Sequence, residues 1–501
     1  MRYDFTIKQF VETDKFANKL AIVGSDMEID WLTLQTKVEQ LTTIFKELKI
    51  PAGHPVIIYG HKEAAFPLTI LACMHSAVTY IPIDKIYPVE RIRKIMNMTG
   101  AQIMINCTDA ALDIDIPVII HSTFEVTICK TPNYTDKIYG TPDNLIQYIM
   151  FTSGSTGEPK GVQITCNSIL TFVKWAEHDF GFAENDVFMN QAPFTFDVSL
   201  CDILNAFGLG ATLVLTSTEM IKEQDSFLNR LHHYQCSVWT STPSFVYLFL
   251  RNPKFNANQL PTLKTFLFMG EDLPNRTCSY LKNIFNETRI LNAYGPTEAT
   301  IVTTLIDIDE KIIEKYPLLP IGYPKPESKI LIDKLNPEDK EGELIIVGDH
   351  VSTGYFKDKM LTDEKFFIHE GKRAFKTGDL AYYEDDMLFC IGRNDDQIKM
   401  HGFRIELNEI SAVICTYPAI ADAVTIALKR NNEVKKIVTF VILSEKMLKN
   451  ELLLQLIPFL EQKLPYYMIP GDVDIVNEFP YSISHKIDKN KLIENYLKQR
   501  L

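Results

Sequence analysis

The feature that most constrains the fold is a repeated change of hydrophobic period along the chain. Residues 31–48 carry apolar side chains at helical spacing, and 56–60 follow as a continuous apolar run that ends in glycine. A helix over 62–75 and a second apolar strand over 79–82 complete a strand–helix–strand unit. Such units are joined by crossovers and pair in parallel, so the sequence predicts an α/β fold with mostly parallel sheets.

The same pattern continues and then changes. Further strands are predicted at 186–188, 211–215 and 237–240, with a helix over 243–250. From about residue 320 short β runs separated by turns predominate, at 329–333, 342–348 and 388–392. A final α+β segment has predicted helices over 407–416 and 449–463 and a strand over 436–443. The turn at 392–395 is the predicted boundary between domains 1–394 and 395–501.

Composition and charge exclude several classes of protein. The chain has 501 residues, of which 46% are apolar, so it can bury several cores. Its 51 basic and 64 acidic residues give a net charge of -13, which disfavours nucleic acids and anionic membranes as partners. No leader-like or membrane-spanning apolar run is present, and we expect a cytoplasmic protein without membrane insertion. Nine scattered cysteines without a C-x-x-C pair argue against disulfides and a zinc site.

A loop rich in glycine and hydroxyl residues carries the strongest chemical signal. Residues 151–161 read Phe-Thr-Ser-Gly-Ser-Thr-Gly-Glu-Pro-Lys-Gly and follow an apolar strand at 146–150. Backbone amides, hydroxyls and one lysine suit a polyphosphate, although Pro159 before Lys160 departs from the P-loop pattern. The plain alternative is a Ser/Gly surface loop. The candidate phosphate ligands are Thr152, Ser153, Gly154, Ser155, Thr156, Gly157 and Lys160.

Several motifs in a fixed order connect this loop to a known family. Asn-Ala-Tyr-Gly-Pro-Thr-Glu occupies 292–298 and Lys-Thr-Gly-Asp-Leu 376–380, and Gly-Arg-Asn-Asp begins at 392. Gly-Phe-Arg-Ile-Glu follows at 402–406 and Lys-Ile-Asp at 486–488. With the loop at 151–161, they make the chain resemble the adenylate-forming acyl and aminoacyl ligases. The resemblance implies a large N-terminal lobe that binds AMP and substrate, a small mobile C-terminal lobe with a hinge at Asp395, and the use of ATP and Mg2+.

The resemblance also implies roles for residues of these motifs. Tyr294 can stack on adenine, Thr297 can donate to the α-phosphate, and Glu298 can hold Mg2+. Asp379 presents two acceptors to the ribose hydroxyls. On the residues alone, Gly-Pro-Thr is also an ordinary turn and Thr-Gly-Asp an ordinary turn cap. The predicted catalytic residues are Lys160, Thr297, Glu298 and Lys486, and the further ATP-binding residues are Asn292, Tyr294, Gly295, Asp379 and Arg393.

The substrate is predicted from an acidic residue in an apolar run. Asp197 lies within Phe-Thr-Phe-Asp-Val-Ser at 194–199, where an unpaired carboxylate is costly to bury. In the amino-acid-activating branch of the family this aspartate binds the substrate ammonium; the alternative is an acid that caps a helix. Met269 and Cys201 stand where the family usually has Cys and Met, respectively. The predicted pocket consists of Asp197, Val198, Cys201, Thr240, Leu267, Met269, Ala293, Ile301 and Val302.

The small lining favours a small neutral amino acid. Residues 238–245, 397–402 and 464–470 are most similar to family members that load D-alanine for teichoic acid esterification. The predicted function is adenylation of such an amino acid and transfer to the phosphopantetheine thiol of a separate carrier protein, since no carrier segment follows Lys486. Two alternatives remain: a stand-alone amino-acid adenylation enzyme of natural-product (nonribosomal peptide) synthesis, for proline or glycine, and a catalytically idle nucleotide-binding scaffold.

Overall fold

The chain divides into two compact units. The computed structural model describes residues 17–110, 112–134, 140–141, 144–152, 158–393, 395–430, 433–445, 447–480 and 487–498. The first unit comprises Met1–Lys85, Met96–Phe151 and Gly161–Asn394, and the second comprises Ile86–Ile95, Thr152–Lys160 and Asp395–Leu501. The predicted domains 1–394 and 395–501 differ from these units because Ile86–Ile95 and Thr152–Lys160 belong to the second unit.

Helices and strands alternate along most of the described chain. The helices are α1 Trp31–Glu47, α2 Ala65–His75, α3 Val89–Thr99, α4 Cys166–Asp179, α5 Val198–Leu209, α6 Thr218–Lys222, α7 Gln224–His233, α8 Pro243–Val246, α9 Asn275–Ile284, α10 Glu310–Lys315, α11 Lys359–Lys365, α12 Leu407–Cys415, α13 Lys449–Glu461 and α14 Lys489–Lys498, with 3-10 turns at Thr297–Ala299 and Tyr466–Met468. The strands are β1 Leu20–Val23, β2 Glu28–Asp30, β3 Pro55–Gly60, β4 Thr79–Asp84, β5 Ile103–Asn106, β6 Val118–His121, β7 Val126–Ile128, β8 Gly140–Thr141, β9 Asn144–Thr152, β10 Lys160–Thr165, β11 Val187–Asn190, β12 Thr212–Leu215, β13 Val238–Ser241, β14 Thr265–Phe268, β15 Arg289–Tyr294, β16 Thr304–Asp307, β17 Tyr323–Pro324, β18 Lys329–Asp333, β19 Gly342–Val347, β20 Phe366–His369, β21 Lys372–Glu384, β22 Met387–Arg393, β23 Gln397–Met400, β24 Phe403–Glu406, β25 Ile420–Arg430, β26 Glu433–Leu443 and β27 Asp472–Ile475.

Three sheets build the first unit. The nine-stranded sheet has the order β17-β16-β15-β14-β13-β11-β12-β1-β2, and its strands from β1 through β12, β11, β13 and β14 to β15 are parallel. The second sheet runs β10-β9-β4-β3-β5-β6-β7, with β8 on β9, and the third, antiparallel sheet runs β18-β19-β21-β20, with β22 on β21. This arrangement confirms the predicted α/β fold with mostly parallel sheets and a small β part.

The register of the nine-stranded sheet separates two cores. Thr240 lies opposite Leu267, and Leu267 opposite Leu291, so these side chains share one face. Leu267 and Leu291 belong to the core that contains α5, whereas Phe266 and Phe268 belong to the core on the other face. Parallel strands place their carboxyl ends at one edge, which is where α/β proteins usually bind ligands. The residues that follow β13, β14 and β15 therefore position the candidate site.

The second unit is α+β, as the sequence predicts. Strands β23 and β24 form a hairpin, while β25 pairs antiparallel with β26, and β27 runs parallel to β26. Ile426, Val438 and Phe440 pack with Leu492 and Tyr496 of α14 in its core.

Two local predictions are wrong. The helix predicted over 243–250 ends at Val246, and the chain continues in turns. The turn predicted at 392–395 begins later, because Gly392 and Arg393 belong to β22 and pair with Leu380 and Asp379. None of the nine cysteines, all of which lie in the described ranges, forms a disulfide, and five of them are buried. Within the described ranges, we find no helix with the length and apolar character needed to span a membrane.

Candidate active site

Three of the predicted nucleotide-binding residues form one buried cluster in the first unit. Tyr294 ends β15 and donates its hydroxyl to Asp379 Oδ2 at 2.5 Å. Arg393 Nη1 donates to Asp379 Oδ1 at 2.6 Å, and Arg393 Nη2 donates to the Thr377 carbonyl at 3.0 Å. The pairing of β21 with β22 places Asp379 directly opposite Arg393. Burial, reinforced by the Asp379 charge, raises the pKa of the Tyr294 hydroxyl well above its ordinary value, so it donates to the carboxylate as a neutral group.

Asn292 and Gly295 each have a structural role next to the candidate site. Asn292 Nδ2 donates to the Pro320 carbonyl at 2.8 Å, and the side chain is buried. A Cβ at Gly295 would lie 2.6 Å from the Ile301 carbonyl oxygen and 2.7 Å from Val302 Cα. Gly295 is therefore required where the chain leaves β15, because the loop after it returns close to the backbone.

Glu298 is a buried carboxylate held in a short 3-10 turn. It is 0% exposed, and its Oε1 accepts a hydrogen bond from the Tyr355 hydroxyl at 2.8 Å. Thr297, beside it, is nearly buried at 8% exposure. No group of three or more His, Cys, Asp or Glu side chains in the described ranges could hold a metal ion. A single carboxylate nevertheless fits Mg2+, which is usually held by one or two carboxylates together with substrate phosphates.

Asp197 lies at the start of α5 and does not cap it. Its side chain makes no cap hydrogen bond, which removes the support for the alternative that this acid serves only as a helix cap. The carboxylate is half-buried, and the positive end of the α5 dipole favours its ionised form. After burial, the Asp197 charge is the largest contribution that raises the pKa of the nearby Tyr148 hydroxyl. A carboxyl group therefore lies at the edge of an apolar core.

The predicted pocket residues are brought together on one face of the nine-stranded sheet. A Cβ at Gly270 would lie 3.8 Å from Val198 Cγ2 and 3.3 Å from Thr242 Cγ2, so α5 begins beside the ends of β13 and β14. Leu267, Met269 and Ala293 follow each other on this face by register. Seven of the predicted pocket residues are at most 3% exposed: Cys201, Thr240, Leu267, Met269, Ala293, Ile301 and Val302. These side chains therefore belong to the buried interior on this face of the sheet.

The second unit contains the predicted phosphate-loop lysine. Lys160 Nζ lies 3.1 Å from Glu406 Oε1, and the two side chains are 11% and 10% exposed. Gln397 Nε2 donates to the same carboxylate oxygen at 2.6 Å. Asp395, the predicted hinge residue, accepts a hydrogen bond from the Gln397 amide at 3.2 Å. Thr152 ends β9. Ser153, Gly154, Ser155, Thr156, Gly157 and Lys486 lie outside the described residues.

Sequence reasoning missed a buried polar network under α5. Lys62 Nζ donates to Asn190 Oδ1 at 2.5 Å and to the Ala192 carbonyl at 2.6 Å, and Asn190 Nδ2 donates to Asp202 Oδ2 at 3.0 Å. Burial lowers the pKa of Lys62 to about 7 and raises that of Asp202 to about 7. Asp202 follows the pocket residue Cys201. No local pattern could reveal this network, since Lys62 and Asn190 are 128 residues apart.

Two protein-family models match this chain. A model of the AMP-binding enzyme family matches residues 10–356, and a model of the AMP-binding enzyme C-terminal domain matches residues 409–486. The chain belongs to the AMP-binding enzyme family. This AMP-binding enzyme therefore uses ATP, as the motifs predict.

Relatives of this AMP-binding enzyme cover nearly its whole length. It is 35% identical over 497 residues to the D-alanine--D-alanyl carrier protein ligase of Bacillus licheniformis, with 98% of each chain covered. It is 36% identical over 488 residues to the enzyme of the same name from Bacillus cereus strain Q1, with 95% of this chain and 96% of that one covered. The Vibrio cholerae adenylation domain AlmE, solved with glycyl-adenosine-5'-phosphate, matches with a TM-score of 0.81 at 21% identity over 99% of this chain and 98% of that one. IdnL1 matches with a TM-score of 0.80 at 21% identity, covering 95% and 98%. These two structures show the fold alone.

Proposed function

We propose that this enzyme activates a small amino acid, D-alanine first among them, as an aminoacyl adenylate and transfers it to the phosphopantetheine thiol of a separate carrier protein. One observation carries the proposal: a half-buried Asp197 that makes no cap hydrogen bond lies at the start of α5, whose side chains belong to the same core as the predicted pocket residues. The names of the Bacillus relatives support D-alanine as the substrate and a carrier protein as the acceptor.

Substrate recognition would rest on one charge pair. The α-ammonium of the amino acid would meet the Asp197 carboxylate, which replaces the water that the ammonium loses. The side chain would then face the wall that contains Cys201 and Met269, while the carboxylate is left for reaction. A fatty acid has no ammonium and would leave Asp197 without its partner.

Nucleotide recognition would use the Tyr294–Asp379–Arg393 cluster. A carboxylate oxygen can accept more than one hydrogen bond. Asp379 can therefore take the ribose hydroxyls while it keeps Tyr294 and Arg393. Arg393 also fixes the plane of the carboxylate. The cluster thus presents a pre-oriented acceptor, which lowers the cost of ordering it when ATP binds.

The first half-reaction joins two anions. An oxygen of the amino-acid carboxylate attacks the α-phosphorus of ATP, the bond from that phosphorus to the bridging oxygen breaks, and pyrophosphate leaves. Thr297 would donate to the α-phosphate, while Lys160 and Lys486 would neutralise the approaching charges. Glu298 would hold Mg2+, which when bound neutralises phosphate charge. No protein nucleophile is needed.

The second half-reaction transfers the acyl group. The carrier thiol, as thiolate, attacks the carbonyl carbon of the adenylate, a thioester forms and AMP leaves with the electron pair of the broken C–O bond. A hinge at Asp395 would let the C-terminal part of the chain serve the two steps in turn. The hinge, the role of Lys486, the cytoplasmic location and the teichoic acid pathway stay predictions.

Carrier loading tests the proposal. The chain is incubated with ATP, Mg2+, one amino acid and a phosphopantetheinylated D-alanyl carrier protein, and the carrier is weighed by intact-mass spectrometry. We expect the mass of one alanyl group to be added with D-alanine, and no addition when the carrier lacks phosphopantetheine. If the carrier gains no mass with any of the amino acids tested, the proposal is contradicted. Adenylate formation from proline or glycine without transfer to this carrier would favour the natural-product enzyme instead. This outcome is tested because Met269 stands where the family usually has Cys, so the substrate can differ from D-alanine.

A further inference from the structure

Two adjacent residues after the Gly-Pro-Thr-Glu motif adopt a backbone conformation that their side chains disfavour. Thr300 has φ 59° and Ile301 has φ 65°. The Val302 amide donates to the Thr300 carbonyl at 2.8 Å, which closes a three-residue turn around Ile301. A turn of this kind with positive φ is rare and strained, and a β-branched residue in it is an outlier. Strain of this kind persists only where the surrounding structure enforces it.

The turn is held from outside by a lysine. Lys325 Nζ donates to the Val302 carbonyl at 3.0 Å, and the Lys325 amide donates to the Thr303 carbonyl at 2.9 Å. On the other side, Thr300 Oγ1 donates to the His350 carbonyl at 2.6 Å. The residues on both sides of Ile301 are thus fixed by distant parts of the chain, Val302 by the Lys325 side chain and Thr300 by the His350 backbone.

Lys325 is an unusual residue to find here. It is 1% exposed, and its amine lies 5.8 Å from the centre of the Trp175 ring. Burial lowers the pKa of Lys325 well below its ordinary value. His350, which is also buried, faces the same region, and burial first and then the Lys325 charge lower its pKa. A buried amine is costly, and among the described residues the hydrogen bond that this amine makes goes to the turn.

The held turn forms part of the candidate pocket. Ile301 and Val302 are 3% and 0% exposed and belong to the same core as Cys201 and Met269. We propose that Lys325 is a positioning residue that determines amino-acid specificity: by holding the Val302 carbonyl, it keeps the strained turn at Ile301 in place as a wall of the pocket. This inference rests on the proposed function of the pocket.

The test compares two lysines that make the same kind of bond. Lys325→Met keeps the length of the side chain and removes the amine. Lys282→Met is the matched control, because Lys282 Nζ donates to the Thr288 carbonyl at 3.0 Å from α9, whose buried side chains belong to the other core of the sheet. Amino-acid-dependent pyrophosphate exchange is measured for both variants with glycine, D-alanine and D-valine, together with KM for ATP.

A wall that loses its support should admit larger side chains. For Lys325→Met we expect KM for D-alanine to rise about tenfold, and the ratio of kcat/KM for D-valine to that for D-alanine to rise about fivefold or more. KM for ATP should stay within about twofold, and Lys282→Met should leave the ratio unchanged.

Three outcomes separate the possibilities. An equal loss with every amino acid, or the same change in Lys282→Met, would overturn the role of Lys325. If Lys325→Met does not fold, Thr300→Val removes the hydrogen bond to His350 and must relax the same ratio. If the wild-type enzyme exchanges pyrophosphate with none of the amino acids tested, the proposed function itself is overturned.

Discussion

The Asp197 carboxylate is the residue on which amino-acid recognition depends most. Asp197→Asn keeps the shape and removes the charge, so the loss of the pair with the substrate ammonium should cost on the order of 2 to 5 kcal/mol. KM for the amino acid should rise steeply while KM for ATP changes little, as measured by pyrophosphate exchange. Asp309→Asn is the control, since Asp309 is an aspartate that does cap a helix, α10, and asparagine caps equally well. An unchanged amino-acid KM would assign the enzyme to another branch of the family.

Met269 and Cys201 test the shape of the pocket at the same scale. Both are buried in one core, and an extra methylene forced into a filled site costs roughly 1 to 3 kcal/mol, so wild type should prefer alanine or glycine to valine. Met269→Cys should enlarge the wall and admit bulkier side chains or L-alanine. Adding Cys201→Met should reverse much of that gain. Identical selectivity in wild type, single and double variants would show that these side chains do not face the substrate.

The elements with a regular period were predictable and the contacts between them were not. Strand β18 was predicted with its exact bounds, because it is a short apolar run between two charged residues. Helix α1 ends one residue before its predicted end, because its apolar residues have a clear helical period. Arg393 was predicted in a turn, but tertiary pairing with Asp379 extends β22 through it. The sequence predicted Tyr294 and Asp379 as site residues from their motifs. It had no signal for Lys325 or Tyr355, which act on the site from distant positions in the chain.

The hairpin of β23 and β24 supplies an element-scale prediction. Glu406 at its end pairs with Lys160. If Lys160 binds ATP as proposed, the phosphates compete with that carboxylate for the lysine. Glu406→Gln removes the charge but keeps an acceptor for Gln397. We expect KM for ATP to fall about two- to tenfold, since such a pair is worth on the order of 1 kcal/mol. Glu384→Gln, which breaks an exposed pair with Lys340, should change nothing. A higher KM for ATP in Glu406→Gln would show that the pair supports ATP binding.

The stability of the first unit should depend on pH through Lys325. Its pKa lies well below 10.5 in the folded chain, so between the two values the unfolded chain binds a proton that the folded chain does not. Folding of the wild type therefore gains stability as pH rises through this window, and Lys325→Met lacks that gain. Relative to wild type, the variant should lose up to about 1.4 kcal/mol per pH unit in the window.

Urea unfolding at pH 7 and 9.5, followed by tryptophan fluorescence, measures this difference. All three tryptophans, Trp31, Trp175 and Trp239, lie in the first unit, so the signal reports that unit alone. A difference between wild type and variant that is independent of pH, or that changes in the opposite direction, would show that Lys325 keeps its proton in the folded chain.

For the whole molecule, amino-acid-dependent exchange of pyrophosphate into ATP is the most direct measurement. It requires only the chain, ATP, Mg2+ and one acid at a time, and it reports adenylate formation before any carrier takes part. D-alanine should give the highest kcat/KM in a panel with L-alanine, glycine, proline, valine and a fatty acid. Asp197→Asn should abolish the preference for amino acids over the fatty acid. Exchange with the fatty acid, or with none of the amino acids, would contradict the assignment of this enzyme as an amino-acid-activating ligase.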